Sequence, residues 1–155
     1  MIFSRDRLVR SLMHLYWRFS RAATLGTRAA VIDRDGRVFL IKHSYVAGWH
    51  LPGGGVETDE TMMLALKREL KEEGNIELTG EPVLHGIFFN ARVSRRDHVA
   101  VYVVRDFRQP GPPVPDHEII DHGFFAPDAL PADTSRATRD RLAEILQGKP
   151  KSEIW

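Results

Sequence analysis

From Trp49 to Ile76 the chain reads WHLPGGGVETDETMMLALKRELKEEGNI, and no other stretch restricts its folding so strongly. Three consecutive glycines, Gly53 to Gly55, mark a loop whose backbone can approach a ligand or ion without side-chain obstruction. TDETMMLALKRELKEE then follows, rich in good helix formers. Met62 or Met63, Leu66 and Leu70 recur at helical spacing as one buried stripe, and Thr58 or Asp59 is placed to cap the start. A glycine loop must therefore deliver the chain directly into an amphipathic helix.

The other face of that helix is acidic. Glu69, Glu72 and Glu73 are related as i, i+3 and i+4, so their side chains emerge together. By itself such a cluster fits either a solvated helix face or a surface that holds a hard divalent ion such as Mg²⁺. The glycine loop shifts the balance towards the ion. It is neither a Walker A loop nor GxGxxG, so the signal lies in the combination of loop and carboxylates.

The rest of the chain bounds the reading. At 155 residues, 43% hydrophobic and 28% charged, it is long enough for one domain with a real core. No cysteine is present, which excludes disulfides, thiolate zinc sites and a cysteine nucleophile. A net charge of +1 argues against DNA or other nucleic acid bound by bulk electrostatics. Six arginines and one acid fall in residues 1–28, leaving 16 of the 22 basic and 20 of the 21 acidic residues to the body. Leu8, Leu12, Leu15 or Tyr16, and Phe19 form a helical stripe among those arginines, predicting a basic amphipathic helix over residues 1–23. It can pack on its own domain or a partner subunit in a homodimer, or lie on a membrane surface. An arginine-rich organellar presequence is a further reading, though no separate cleavage region is visible. No apolar run there spans a bilayer. The expected location is the cytoplasm.

Residues 24–148 carry the remaining pattern, with 149–155 as a tail. RAAVID and RVFLIKH flank Asp35-Gly36 and predict a hairpin. PVLHGIFFN and HVAVYVVRDF predict paired strands, QPGPPVPD a break, HGFFA a short strand, and SRATRDRLAEILQ a helix ending at Gly148. The fold class is α+β, with a mixed β-sheet between helices.

Gly54, five residues, Glu60, seven residues, then Arg68-Glu69-Leu70-Lys71-Glu72-Glu73 resembles the Nudix box, G-x5-E-x7-R-E-U-x-E-E-x-G-U, where U is a bulky aliphatic residue. Trp49 to Pro52 and the glycines resemble the usual lead-in, and the strand order fits a Nudix-like α/β/α sandwich over roughly residues 24–146. One position departs: the last box glycine is Asn75, preceded by Gly74. Asparagine tolerates left-handed backbone better than other side chains, so the helix ending is expected to survive.

The resemblance implies a hydrolase using Mg²⁺ (or Mn²⁺) that cuts the diphosphate bond of a nucleoside diphosphate linked to another moiety, by attack of metal-activated water on phosphorus. It assigns Glu72, Glu73 and the Gly53 carbonyl as metal ligands, and Glu69 as a ligand or as the group that orients and deprotonates water. Arg68 would position the helix carboxylates, with Glu60 as its partner. In VPDHEIIDHGFF, Glu118 is the downstream carboxylate expected to return to the metal, and Asp121 the second choice. Glu57 is either a further ligand or a helix-capping acid. For the substrate, Arg92, Arg95, Arg96 and His98 flank a loop suited to phosphates, and Tyr45, Trp49, Phe88 or Phe89 could stack on a base. His43, His50 and His85 read as isolated histidines. Markers of the ADP-ribose, diadenosine-polyphosphate and NADH subgroups are not found. A non-catalytic nucleotide-sensing module and a membrane-associated diphosphate hydrolase are the competing readings.

Overall fold

The computed structural model describes residues 22–114 and 117–155, together with Met13 and Tyr16. In chain order its elements are β1 (Thr24–Val31), β2 (Val38–His43), β3 (Trp49–His50), α1 (Met62–Gly74), β4 (Glu77–Leu78), β5 (Val83–Phe89), β6 (Asp97–Val104), β7 (Phe107–Arg108), β8 (Ile119–Phe125) and α2 (Arg136–Gln147). The expected N-terminal helix lies, apart from Met13, Tyr16 and the last residues before β1, outside the described residues.

β1 and β6 run parallel, and β5 pairs antiparallel with the other side of β6, giving a mixed sheet in the order β1-β6-β5. β2 centres a second, antiparallel sheet between β3 and β8, while β4 and β7 form a separate two-stranded ladder. Side chains alternate across strands, and this divides the core. Ala30, Ile32, Val38 and Leu40 pack with Trp49, Leu51, Phe88 and Leu142 of α2. Ala29, Val31, Phe39 and Ile41 pack with Leu66 and Leu70 of α1 and with Ile76. The sheets are thus covered by a helix on each side, as the α/β/α expectation required. Among the described residues no helix is long and apolar enough to cross a membrane.

The expected hairpin forms its turn but not its ladder. The Gly36 N–H donates to the Asp33 carbonyl (3.0 Å), and Gly36 takes φ +77°, which glycine accepts without strain. Only Ile32 and Val38 then bridge before β1 and β2 enter different sheets. The cause is competition for an edge. Backbone bonds from Thr27 to Gly54, from Ala29 to Pro52 and from Val56 to Leu25 lay the glycine loop along the side of β1 that a hairpin partner would need.

α1 begins later than its expected cap. Glu57 to Glu60 close a turn, with Asp59 at φ +63°, and Thr61 accepts the Leu64 N–H at 3.1 Å as N-cap. Gly148 caps the end of α2 as expected, and Ser135 caps its start. The strand expected near HGFFA is longer, because β8 pairs with every residue of β2. The tail does not stand apart from the domain. Phe89 donates to Glu153 and accepts from Trp155, so the tail adds a bridge to the outer edge of β5.

Candidate active site

Gly53 sits at φ +135°, and a Cβ there would lie 2.1 Å from the Thr27 carbonyl oxygen. Only glycine fits this turn. The neighbouring carbonyls of Pro52 and Gly54 both accept from β1, and that of Gly55 accepts from Arg68 at 3.1 Å. Gly53 lies between the Pro52 and Gly54 carbonyls. Its N–H points to α1, donating to Glu73 Oε2 at 2.6 Å.

Glu73 is buried, and burial pushes its carboxyl up to about 8. The Gly53 N–H and the charge of Arg28 oppose that rise, whereas Glu69 and Glu118 add to it. Glu69 lies directly over Gly54, where a Cβ would meet its Oε1 at 2.1 Å. Glycine at 54 is therefore the space that the Glu69 carboxylate occupies. Glu72, one helical turn along, keeps 59% of its side chain exposed.

Arg68 ties the face together. Its Nε and Nη2 grip the two oxygens of Glu60 at 3.0 Å each, and Nη1 reaches Glu69 at 2.7 Å and Glu72 at 3.4 Å. Such a bidentate pair is planar and directional. It holds the Glu60 carboxyl below its ordinary range and raises the guanidinium further. Glu57 contributes its backbone N–H to Glu60 at 3.0 Å, and its carboxylate is exposed.

The opposing wall comes from β1, the β2–β3 connection and the start of β8. His43 follows Phe39 and Ile41 on the β2 face that meets α1, which brings its Nε2 to 3.6 Å from Glu73 Oε1. The Tyr45 ring stands 5.0 Å from that of His43 and is 67% exposed. Its hydroxyl is raised first by burial and then by the charges of Glu118 and Glu73. His50 is lowered, mainly by burial, although its ring bonds the Ala47 carbonyl at 2.9 Å. Arg28 is partly buried, and burial lowers it against the charges of Glu73, Glu69 and Tyr45.

The structure thus gathers Gly53, Glu60, Arg68, Glu69, Glu72, Glu73, Tyr45 and Glu118 in one region. Asp121 is not among them. It pairs in register with Lys42 on the strand face opposite His122 and Phe124, and its carboxylate accepts the His122 N–H. Arg92, Arg95 and Arg96 lie in the β5–β6 connection, and Arg92 lines a cavity of about 490 Å³ with Arg136, Asp140 and Lys149, away from the carboxylates of α1. Phe88 and Trp49 are core residues. His85 is not isolated; it bonds Glu144 at 2.9 Å. Arg28 and His43 carried signals: a cation opening the apolar run of β1, and a histidine continuing the inward phase of Phe39 and Ile41.

Among the described residues, no three His, Asp or Glu side chains stand close enough to cage an ion. The donors nevertheless suit Mg²⁺, which binds through one or two carboxylates and keeps most of its waters. Glu73, raised chiefly by burial and further by Glu69 and Glu118, lies beside Glu69 on the same helix face. Gly53, Glu69, Glu72 and Glu73 are the groups that would hold the cation.

The NUDIX domain model matches residues 23–145. The solved MutT NUDIX hydrolase from Burkholderia pseudomallei is 31% identical at a TM-score of 0.68, with 80% of this chain and 98% of that chain covered. CTP pyrophosphohydrolase of Escherichia coli K12 is 49% identical over 55 residues, which are 33% of this chain and 41% of that protein. RNA pyrophosphohydrolase of Hydrogenovibrio crunogenus is 39% identical over 54 residues, 35% of this chain and 33% of that protein. The matches to these two curated relatives therefore span less than half their length. The family model covers most of this chain, and this chain covers nearly all of a solved relative; the protein belongs to the Nudix family.

Proposed function

We propose that the protein is a Mg²⁺-dependent pyrophosphohydrolase that cleaves the diphosphate bond of a nucleoside diphosphate derivative. One observation carries this reading: α1 lays Glu69 and Glu73 against a loop whose glycines at 53 and 54 are required for that contact, with Glu72 open beside them. Two of its relatives support a phosphoanhydride substrate, one being a CTP pyrophosphohydrolase and the other an RNA pyrophosphohydrolase.

Mg²⁺, when bound, would neutralise charge on phosphoryl oxygens and lower the pKa of water. The chain supplies the rest. Glu72, Glu73 and the Gly53 carbonyl hold the cation. Glu69, fixed by Arg68, orients the attacking water or takes its proton, with Glu118 as a second carboxylate at the same place. Residues 24–148 form the hydrolase domain, with the tail of residues 149–155 packed onto it. The protein acts in the cytoplasm, as a monomer or homodimer.

The test is a screen of nucleoside triphosphates, nucleotide sugars, dinucleoside polyphosphates and capped RNA with Mg²⁺ and Mn²⁺. Glu72→Gln is expected to lower kcat/KM by about 100-fold or more, since a ligand to the cation is lost. Undiminished metal-dependent turnover by that variant would sink the proposal.

A further inference from the structure

Arg28 leaves β1 against the tightest point of the glycine loop: a Cβ on Gly53 would stand 2.9 Å from the Arg28 Cα. The same Gly53 donates its N–H to Glu73. The guanidinium lies within electrostatic reach of the site, with the charges of Glu73 and Glu69 acting on it together with that of Asp97. Its hydrogen bonding is nonetheless nearly empty. Among the described residues it makes one bond, from Nη1 to the adjacent Thr27 carbonyl at 3.1 Å, and no ion pair within 4.0 Å. The other arginine of the site, Arg68, uses all three of its nitrogens. A partly buried cation with most of its donors unused is costly unless an anion completes it, and a guanidinium matches the paired oxygens of a phosphate.

We propose that Arg28 binds the diphosphate of the substrate, donating to its non-bridging oxygens from β1 while the carboxylates of α1 hold the cation on the same diphosphate. This rests on the function proposed above. It adds a recognition element to that function: the β1 side of the site selects for an anionic phosphate pair rather than for the nucleoside.

The test uses methylenediphosphonate, a diphosphate that water cannot split, with Mg²⁺ present. Arg28→Gln is expected to weaken its binding, measured by calorimetry, by roughly 10- to 100-fold. The variant's kcat/KM on any nucleotide that the wild type turns over falls by a similar factor, while Mn²⁺ affinity, read by electron paramagnetic resonance, stays within about threefold. Binding and turnover within about twofold of wild type overturn the assignment. So does a change confined to cation affinity, which would make Arg28 only a counter-charge for the carboxylates. Should the variant fail to fold, phenylglyoxal labelling of the wild-type protein decides. Protection of Arg28 by methylenediphosphonate supports the assignment, and a label yield that the diphosphonate leaves unchanged overturns it. A wild-type protein that binds the diphosphonate through Arg28 yet hydrolyses no nucleotide leaves this assignment standing and removes the hydrolase reading alone.

Discussion

Gly53 and Gly55 stand two positions apart under opposite constraints. A Cβ at 53 collides with the Thr27 backbone in a positive-φ turn, whereas at 55 nothing lies within 4 Å. Gly53→Ala is expected to cost about 3 kcal/mol or more, or to abolish folding, and Gly55→Ala to stay within about 0.5 kcal/mol, both read by urea denaturation. Glu73 makes a second prediction at this scale. Its carboxyl ionises near 4.5 in the unfolded chain and near 8 in the fold. Below both values it is protonated in either state and contributes no pH dependence. Between them the unfolded chain has released a proton that the folded protein retains, so stability falls as pH rises. In EDTA the Tm is therefore expected to drop between about pH 5 and 8. Glu73→Gln should flatten that drop, since its amide oxygen can still accept from Gly53. Added Mg²⁺ should raise the Tm more at pH 8 than at pH 5, because the cation favours the ionised carboxylate.

At the scale of the element, the departure from the family pattern at the end of α1 becomes intelligible. Asn75 adopts φ 48° and ψ 37°, and its N–H caps the Leu70 and Lys71 carbonyls. Its side chain donates to the Gly111 carbonyl at 3.1 Å and accepts from Lys71 at 2.8 Å. Gly74, by contrast, is a packing residue: a Cβ there would press on Ile76 and Phe39 at 2.9 and 3.0 Å. The left-handed turn has stayed at position 75, with asparagine in place of glycine. Asn75→Ala is expected to lose about 1–2 kcal/mol, and Asn75→Gly to remain near wild type, by denaturant titration. Thr61→Ala removes the opposite cap and is expected to cost about 1 kcal/mol.

Over the whole molecule, the last residues complete the core on the α2 side. Buried Arg141 stacks 4.1 Å above the Phe88 ring and donates to the Ile154 carbonyl, Glu144 accepts from Ser152, and Lys151 bonds the His85 carbonyl. Trp155 packs edge-on to Phe88. Removing residues 150–155 would leave the edge of β5 bare and Arg141 without a carbonyl partner. That truncation is expected to lower the Tm by about 5 °C or more, or to yield insoluble protein, in a thermal melt. The tail is thus part of the domain, although KPKSEIW gives no periodic signal by which its docking could be read.

The strands, the two helices and the carboxylate face were legible because each rests on local periodicity: apolar alternation in β1, β2 and β6, and i, i+3, i+4 spacing in α1. Arg68 with Glu60 was legible too, since eight residues of helix and turn set their separation. The pairing of β5 with β6 was readable as well, but the sequence did not contain the placement of β1 beside β6 or of β2 beside β8. Asp35-Gly36 specified a turn, but the glycine loop took the edge of β1, so the hairpin opened into two sheets. The site depends on that opening. It brings Arg28, His43 and Tyr45 to carboxylates on a helix that begins only at Met62. Local propensity determined the elements; competition for one strand edge, a matter of long-range hydrogen bonds, decided what faces the site.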